Sequence, residues 1–177
     1  CDILVMSATP IPRTLIMTFY GDMDVSKLTE KPSYRKEIIS LSKPEIKINE
    51  VIKFIKKEIT NKNQIFWVCP LIDESKKLDY EAAVKKFEYL NKIFTGRVGL
   101  IHGSLKNEEK ETVLKNFLDK EIQILVSTTV IEVGIDFPNA NVIVIENSNK
   151  FGLSQLHQLR GRVGRSNMQA TCILLYK

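Results

Sequence analysis

From Gln155 to Arg165 the chain reads QLHQLRGRVGR, with Arg160, Arg162 and Arg165 inside six residues and Gly161 and Gly164 between them. Guanidinium groups this close repel one another, and a bound anion converts that penalty into charge-assisted hydrogen bonds. Phosphate recognition is the chemistry that suits such a turn. An arginine aimed at a transferring phosphoryl group contributes about 10³–10⁵ in rate in phosphoryl-transfer systems. Three other glycine- or hydroxyl-bearing segments follow apolar runs. They are His102-Gly103-Ser104 after VGLI, Thr128-Thr129 after QILVS, and VIEVGIDFP with Gly134 and Asp136. Glycine lets a backbone approach a phosphate closely, while exposed N–H groups and hydroxyls hold its oxygens. Each loop alone also fits an ordinary tight turn.

The elements needed to position these loops are legible in the apolar pattern. Asp2 to Met6 reads as a strand ending at Ser7-Ala8-Thr9-Pro10, followed by a short helix, RTLIMTFY, that Gly21 stops. The polar segment after it carries Pro32 and reads as a linker. EIISLS is a strand, and IKINEVIKFIKKEI places Ile48, Val51, Ile52, Ile55 and Ile59 on one helical face. QIFWVC (64–69), VGLI (98–101), QILVST (123–128), NVIVIE (141–146) and ATCILLY (170–176) read as strands. Residues 79–94 read as a helix capped by Asp79, with a stripe of Ala83, Phe87, Leu90 and Phe94. Two more helices are expected near Asn107–Leu118 and over Leu153–Arg160. Strands without polar alternation, separated by helices, predict a parallel α/β sheet covered on both faces. Ligands of such sheets bind at the carboxyl ends of the strands, which predicts that all of these loops share one rim.

Composition sets the outer bounds. Hydrophobic content of 44% and charged content of 27% suit a globular domain, and no apolar run is long enough to span a bilayer. The net charge of +5 is compatible with a polyanionic partner, although Lys pairs with Glu along most helices. Cys1, Cys69 and Cys172 are far apart and lack CxxC spacing, which argues against a disulfide framework or a zinc site. The chain starts in an apolar run without an initiator Met, so a piece of a larger protein is expected.

The segments SATPIPRTL, GDMDVS, VCPLIDESKKLD, HGSLKNEEKE, STTVIEVGIDFPNA and FGLSQLHQLRGRVGR resemble, in that order, the successive motifs of superfamily-two helicases. Within that superfamily they are similar to the RecG type, ATP-dependent DNA helicases that remodel branched DNA in recombination and repair. The transcription-repair coupling factor shares the first and last of these segments. GDMDVSKL and CPLIDESKKLD favour the RecG side, and a non-catalytic nucleic-acid-binding module is the remaining alternative.

The resemblance implies an organisation and a set of roles. Residues 1–24 would be the tail of a first RecA-like lobe, 25–36 a linker, and 37–177 the second RecA-like lobe. Ser7 and Thr9 match the motif that couples ATP state to nucleic-acid binding. Thr128, His102 and Gly103 match contacts to the nucleic-acid backbone. Gly134 and Asp136 match the motif whose Asp meets the nucleotide ribose or relays lobe closure. Gln158, Gly161, Arg162 and Arg165 match the last motif, with Arg162 and Arg165 in the γ-phosphate and finger positions. Arg160 fits neither slot. The implied cofactors are ATP and Mg²⁺, with the metal ligands expected on the first lobe. Expected partners are branched or duplex DNA and the first lobe and wedge domain of the same protein, with no membrane. The expected location is the bacterial cytoplasm, at the nucleoid.

Two look-alikes carry no role. Asp73-Glu74-Ser75-Lys76 resembles a DExx box, but no GxxxxGK[ST] precedes it and Pro70 interrupts the strand before it. His157 sits one turn from Leu153 on a helix and reads as structural.

Overall fold

Ile48, Val51, Ile52, Ile55 and Ile59 fall three or four residues apart, so winding that segment into a helix gathers them on one side. Helix α1 (Ile48–Thr60) forms there and buries Val51, Ile52, Ile55 and Ile59. Each such side chain contributes about 2 kcal/mol on leaving water. The computed structural model describes residues 35–70, 76–128, 137 and 139–177, all within one unit, Tyr34–Lys177. Expectations resting on Ser7, Thr9, Asp73, Glu74, Gly134 and Asp136 lie outside the described residues.

Six strands form one all-parallel sheet: β1 (Ile39–Pro44), β2 (Gln64–Cys69), β3 (Val98–Ile101), β4 (Ile124–Thr128), β5 (Ala140–Ile145) and β6 (Thr171–Tyr176). Their order across the sheet is β1-β6-β5-β2-β4-β3. Helices α2 (Lys76–Ile93), α3 (Asn107–Leu118) and α4 (Leu153–Arg160) are the others among the described residues, with short 3-10 turns at Glu45–Lys47 and Ser148–Lys150.

The period-2 alternation of the strands divides the core into two layers. Ile65, Trp67 and Cys69 of β2 face one side, with Ile55 of α1 and Ala83 and Leu90 of α2. Phe66 and Val68 face the other, with Phe117 of α3, Leu159 of α4, Phe137 and Val163. All six residues of β2 and all six of β5 are buried, which explains why neither sequence alternates polar with apolar. The architecture is the parallel sheet with helices on both faces expected for a RecA-like lobe. Among the described residues no helix is long and apolar enough to cross a membrane.

Several strand ends shift from expectation by one residue, and two boundaries differ by more. Strand β1 starts two residues later than the EIISLS run and continues through Pro44, which pairs with Tyr176. A proline that donates no hydrogen bond is tolerated because β1 is the edge strand. Helix α2 begins at Lys76, so Asp79 lies inside it instead of capping it. Lys76, Lys77 and Leu78 contain no helix breaker, so nothing in the sequence stops the helix from starting ahead of Asp79. Cys69 and Cys172 are buried free thiols. Burial pushes the Cys172 thiol up to about 11 despite the nearby Arg160 charge, and Cys69 is raised further by burial and by Glu146.

Candidate functional site

The arginine turn grows directly out of α4. The Gly152 N–H donates to Gln155 Oε1 at 3.1 Å where the helix starts. At the other end Gly161 N–H bonds His157 O at 3.1 Å and Arg162 N–H bonds Leu159 O at 3.0 Å, winding the helix into a tighter turn. Leu159 and Val163 are buried in the core, and Leu156 packs against it. These apolar anchors fix the turn while Arg160, Arg162 and Arg165 are left half-buried around it. Gln158 is exposed on α4.

Gly164 is required by two constraints at once. Its φ is +70°, and a Cβ there would stand 3.0 Å from the Ala170 Cβ and 3.3 Å from Ile38 Cγ1. Gly161 has a helical φ of −69°, so the helix end does not need a glycine for its backbone angle. No side-chain partner for the Arg162 guanidinium is found among the described residues. Arg165 is engaged by an interaction within the chain. The Arg160 charge is felt at the Cys172 thiol of β6.

The turn does not share a rim with His102, Gly103 and Thr128, the carboxyl-edge candidates among the described residues. Gly164 lies against Ile38 and Ala170, the residues immediately before β1 and β6. Ser166 Oγ lies 3.3 Å from Asn141 Oδ1 at the start of β5. Asn141 Nδ2 donates to Asn63 Oδ1 at 3.0 Å, and Asn63 Nδ2 donates to Glu58 Oε2 at 2.7 Å. The arginines therefore occupy the amino edge of the sheet, opposite the expected carboxyl rim. The reason is topological: a connection between the parallel strands β5 and β6 must return to the starting edge. The eight-residue α4, about 12 Å long, carries the chain back.

His102 and Thr128 do come together, at the carboxyl edge. Ile101 pairs with Ser127, so His102 and Thr128 each directly follow a paired residue at that edge. Thr128 is buried and pairs with Cys69 on its other side. The His102 ring meets Tyr80 edge-on at 4.6 Å. Its Nδ1 is buried without a partner among the described residues. Gly103 is exposed, and nothing lies within 4 Å of where its Cβ would be.

Burial lowers the His102 pKa from its ordinary value of 6.5, opposed by the Glu109 charge and assisted by Lys110. Above that value both folded and unfolded imidazoles are neutral. As pH falls through 6.5 the unfolded chain takes up the proton first, so His102 subtracts stability down through its lower folded pKa. The urea midpoint is expected to drop between about pH 7.5 and 5.5, and His102→Asn should narrow that drop. An equal drop in both proteins contradicts this account.

The carboxyl edge holds another arrangement that the sequence pattern concealed. Lys86 Nζ of α2 lies 2.5 Å from Glu146 Oε1, just beyond β5. The same ammonium sits 5.4 Å from the Trp67 ring centroid and 5.2 Å from that of Tyr89. The Cys69 thiol donates to Glu146 Oε2 at 3.7 Å. Pairing of lysines along their own helices was the expectation, whereas Lys86 ties its helix to the sheet. The signal available was a lone glutamate closing the NVIVIE run. Arg35 was also missed: its Nε donates to Gly164 O at 2.8 Å and its Nη2 to Gly161 O at 3.5 Å. Among the described residues no group of three or more His, Cys, Asp or Glu is placed to hold a metal ion.

Residues 46–167 match the family model of the helicase conserved C-terminal domain. The chain belongs to this family. As a helicase C-terminal domain it is 53% identical to the ATP-dependent DNA helicase RecG of Thermotoga maritima, over 98% of this chain and 23% of that protein. A structure of RecG bound to a three-way DNA junction matches with a TM-score of 0.79 and 50% identity, covering 99% of this chain and 23% of that one. S. cerevisiae Dbp5, bound to RNA and ADP BeF3, matches with a TM-score of 0.65 at 18% identity, over 96% of this chain and 43% of that one. At that identity the likeness shows the fold alone. The chain thus spans about a quarter of the length of the RecG relatives it matches.

Proposed function

We propose that this chain is the second motor lobe of a RecG-type DNA helicase that uses ATP to remodel branched DNA, with residues 1–24 as the tail of the first lobe and 25–36 as the linker. The observation that carries this is the 53% identity to a RecG helicase along 98% of the chain. The placement of the arginines supports a division of labour. A lobe that binds its own nucleotide uses its carboxyl edge, whereas these arginines lie at the amino edge. They are suited to a nucleotide presented by another lobe. Arg162 offers a half-buried guanidinium with no side-chain partner among the described residues, which fits an anionic phosphate.

In this mechanism the first lobe would hold the ATP phosphates together with Mg²⁺, which when bound would supply neutralisation of phosphate charge. Arg162 and Arg165 meet the γ-phosphate as the lobes close, donating hydrogen bonds where charge develops in the transition state. Gln158 and Gly161 support that contact, and Gly134 and Asp136 meet the ribose or relay the closure. Ser7 and Thr9 couple nucleotide state to DNA. At the carboxyl edge His102, Gly103 and Thr128 face the DNA backbone, a contact that ignores base identity and weakens with salt. Branched DNA and the wedge domain of the same protein are the partners, in the bacterial cytoplasm at the nucleoid.

The test is strand displacement by the full-length protein on three-way junctions and on linear duplex of matched sequence. Junctions are expected to be unwound at least about tenfold faster with ATP, a difference of ~1.4 kcal/mol in barrier. Equal rates on the two substrates remove the branched-DNA assignment. An RNA-polymerase-dependent activity would favour the coupling-factor reading.

A further inference from the structure

The segment that enters the lobe is stitched onto the loop between α4 and β6. Ile39 N–H bonds Ala170 O at 3.0 Å, and Gln169 Nε2 donates to Glu37 O at 2.6 Å. These two bonds lie beside the strand starts. Arg35 reaches further, to the arginine turn itself, where its Nε and Nη2 bond Gly164 O at 2.8 Å and Gly161 O at 3.5 Å. The two carbonyls bracket Arg162 and Val163 in sequence.

We propose that Arg35 is a positioning residue for Arg162. This inference rests on the reading of Arg162 given above and deepens it. The turn contains two glycines, one of them at φ +70°, so its backbone has alternatives that a chain of larger residues would lack. Val163 anchors the turn from the core side and Arg35 anchors it from the other, through a planar group whose donors point in fixed directions. Only with both carbonyls held does the intervening Arg162 have a defined direction. A lysine in place of Arg35 keeps the charge but offers no such fork. Arg35 is the second residue of its unit, so the turn is bonded directly to the point where the chain enters the lobe.

The test is steady-state ATP hydrolysis by the full-length protein on saturating junction DNA, reading kcat and KM for ATP. Arg35→Gln is expected to lower kcat about tenfold to a hundredfold, the cost of misplacing a catalytic group by roughly 1 Å. KM should stay within about twofold, because a transition-state contact is lost and not ground-state binding. Arg35→Lys should fall within about threefold of Arg35→Gln, since charge without the fork does not hold the turn. It also serves as the second variant if Arg35→Gln fails to fold, as judged by its thermal midpoint. Gln169→Ala, which cuts the stitch away from the turn, should keep wild-type kcat within about twofold.

Combining Arg35→Gln with Arg162→Ala should give no further loss beyond Arg162→Ala alone, because the first residue acts through the second. Wild-type kcat in Arg35→Gln or Arg35→Lys overturns the proposal. So do losses that multiply in the double variant, or a loss in Gln169→Ala equal to that in Arg35→Gln. Full turnover in Arg162→Ala overturns the reading of Arg162, and the positioning role with it. An impaired Arg162→Ala beside a normal Arg35→Gln removes the positioning role alone.

Discussion

Replacing Arg162 with alanine in the full-length protein is expected to lower DNA-stimulated ATP hydrolysis about 10³-fold or more, the range of an arginine finger. ATP binding should remain within a few-fold of wild type. Leu159 and Val163 are buried and fix the turn, so truncating Arg162 removes a guanidinium and little packing. Arg165 is the less clean test, because it already has an interaction within the chain that its truncation also removes. A loss confined to kcat identifies a contact made in the transition state, whereas a rise in KM at constant kcat identifies ground-state binding. Nucleotide affinity by fluorescence titration, measured beside turnover, separates the two. A weakened affinity with unchanged kcat contradicts the assigned role.

The largest stability effect is expected from Phe137→Ala, a loss of about 3 kcal/mol. Phe137 is 3% exposed, and its ring meets Phe66 edge-on at 5.4 Å and Phe117 at 5.3 Å. It also directly follows in sequence Asp136, the residue proposed to meet the ribose or relay lobe closure. Truncation should therefore shift the urea midpoint and lower DNA-stimulated hydrolysis together. An unchanged midpoint contradicts the packing account.

The helix α1 face and the buried strands were legible because their periodicity is set by the same core they pack against. Ile55 and Trp67 have no other place to go. The arginine turn stood out by its composition but was misplaced by the rule that ligands gather at carboxyl ends. Its address was nonetheless in the sequence: Arg165 lies six residues before Thr171, and what immediately precedes a parallel strand belongs to the amino edge. Contacts between distant segments were not legible. Arg35 is separated from Gly164 by 129 positions, and Lys86 reaches Glu146 across a helix–sheet interface. No local pattern encodes such pairs, because each partner is an ordinary polar residue until the fold joins them.

The central claim is that this lobe supplies arginines to a nucleotide whose phosphates another lobe holds. ATP hydrolysis by the 177-residue chain alone, with and without junction DNA, tests it most directly. The account predicts no turnover above buffer in either condition, alongside DNA-stimulated turnover by the full-length protein. Sustained hydrolysis by the isolated chain would contradict it.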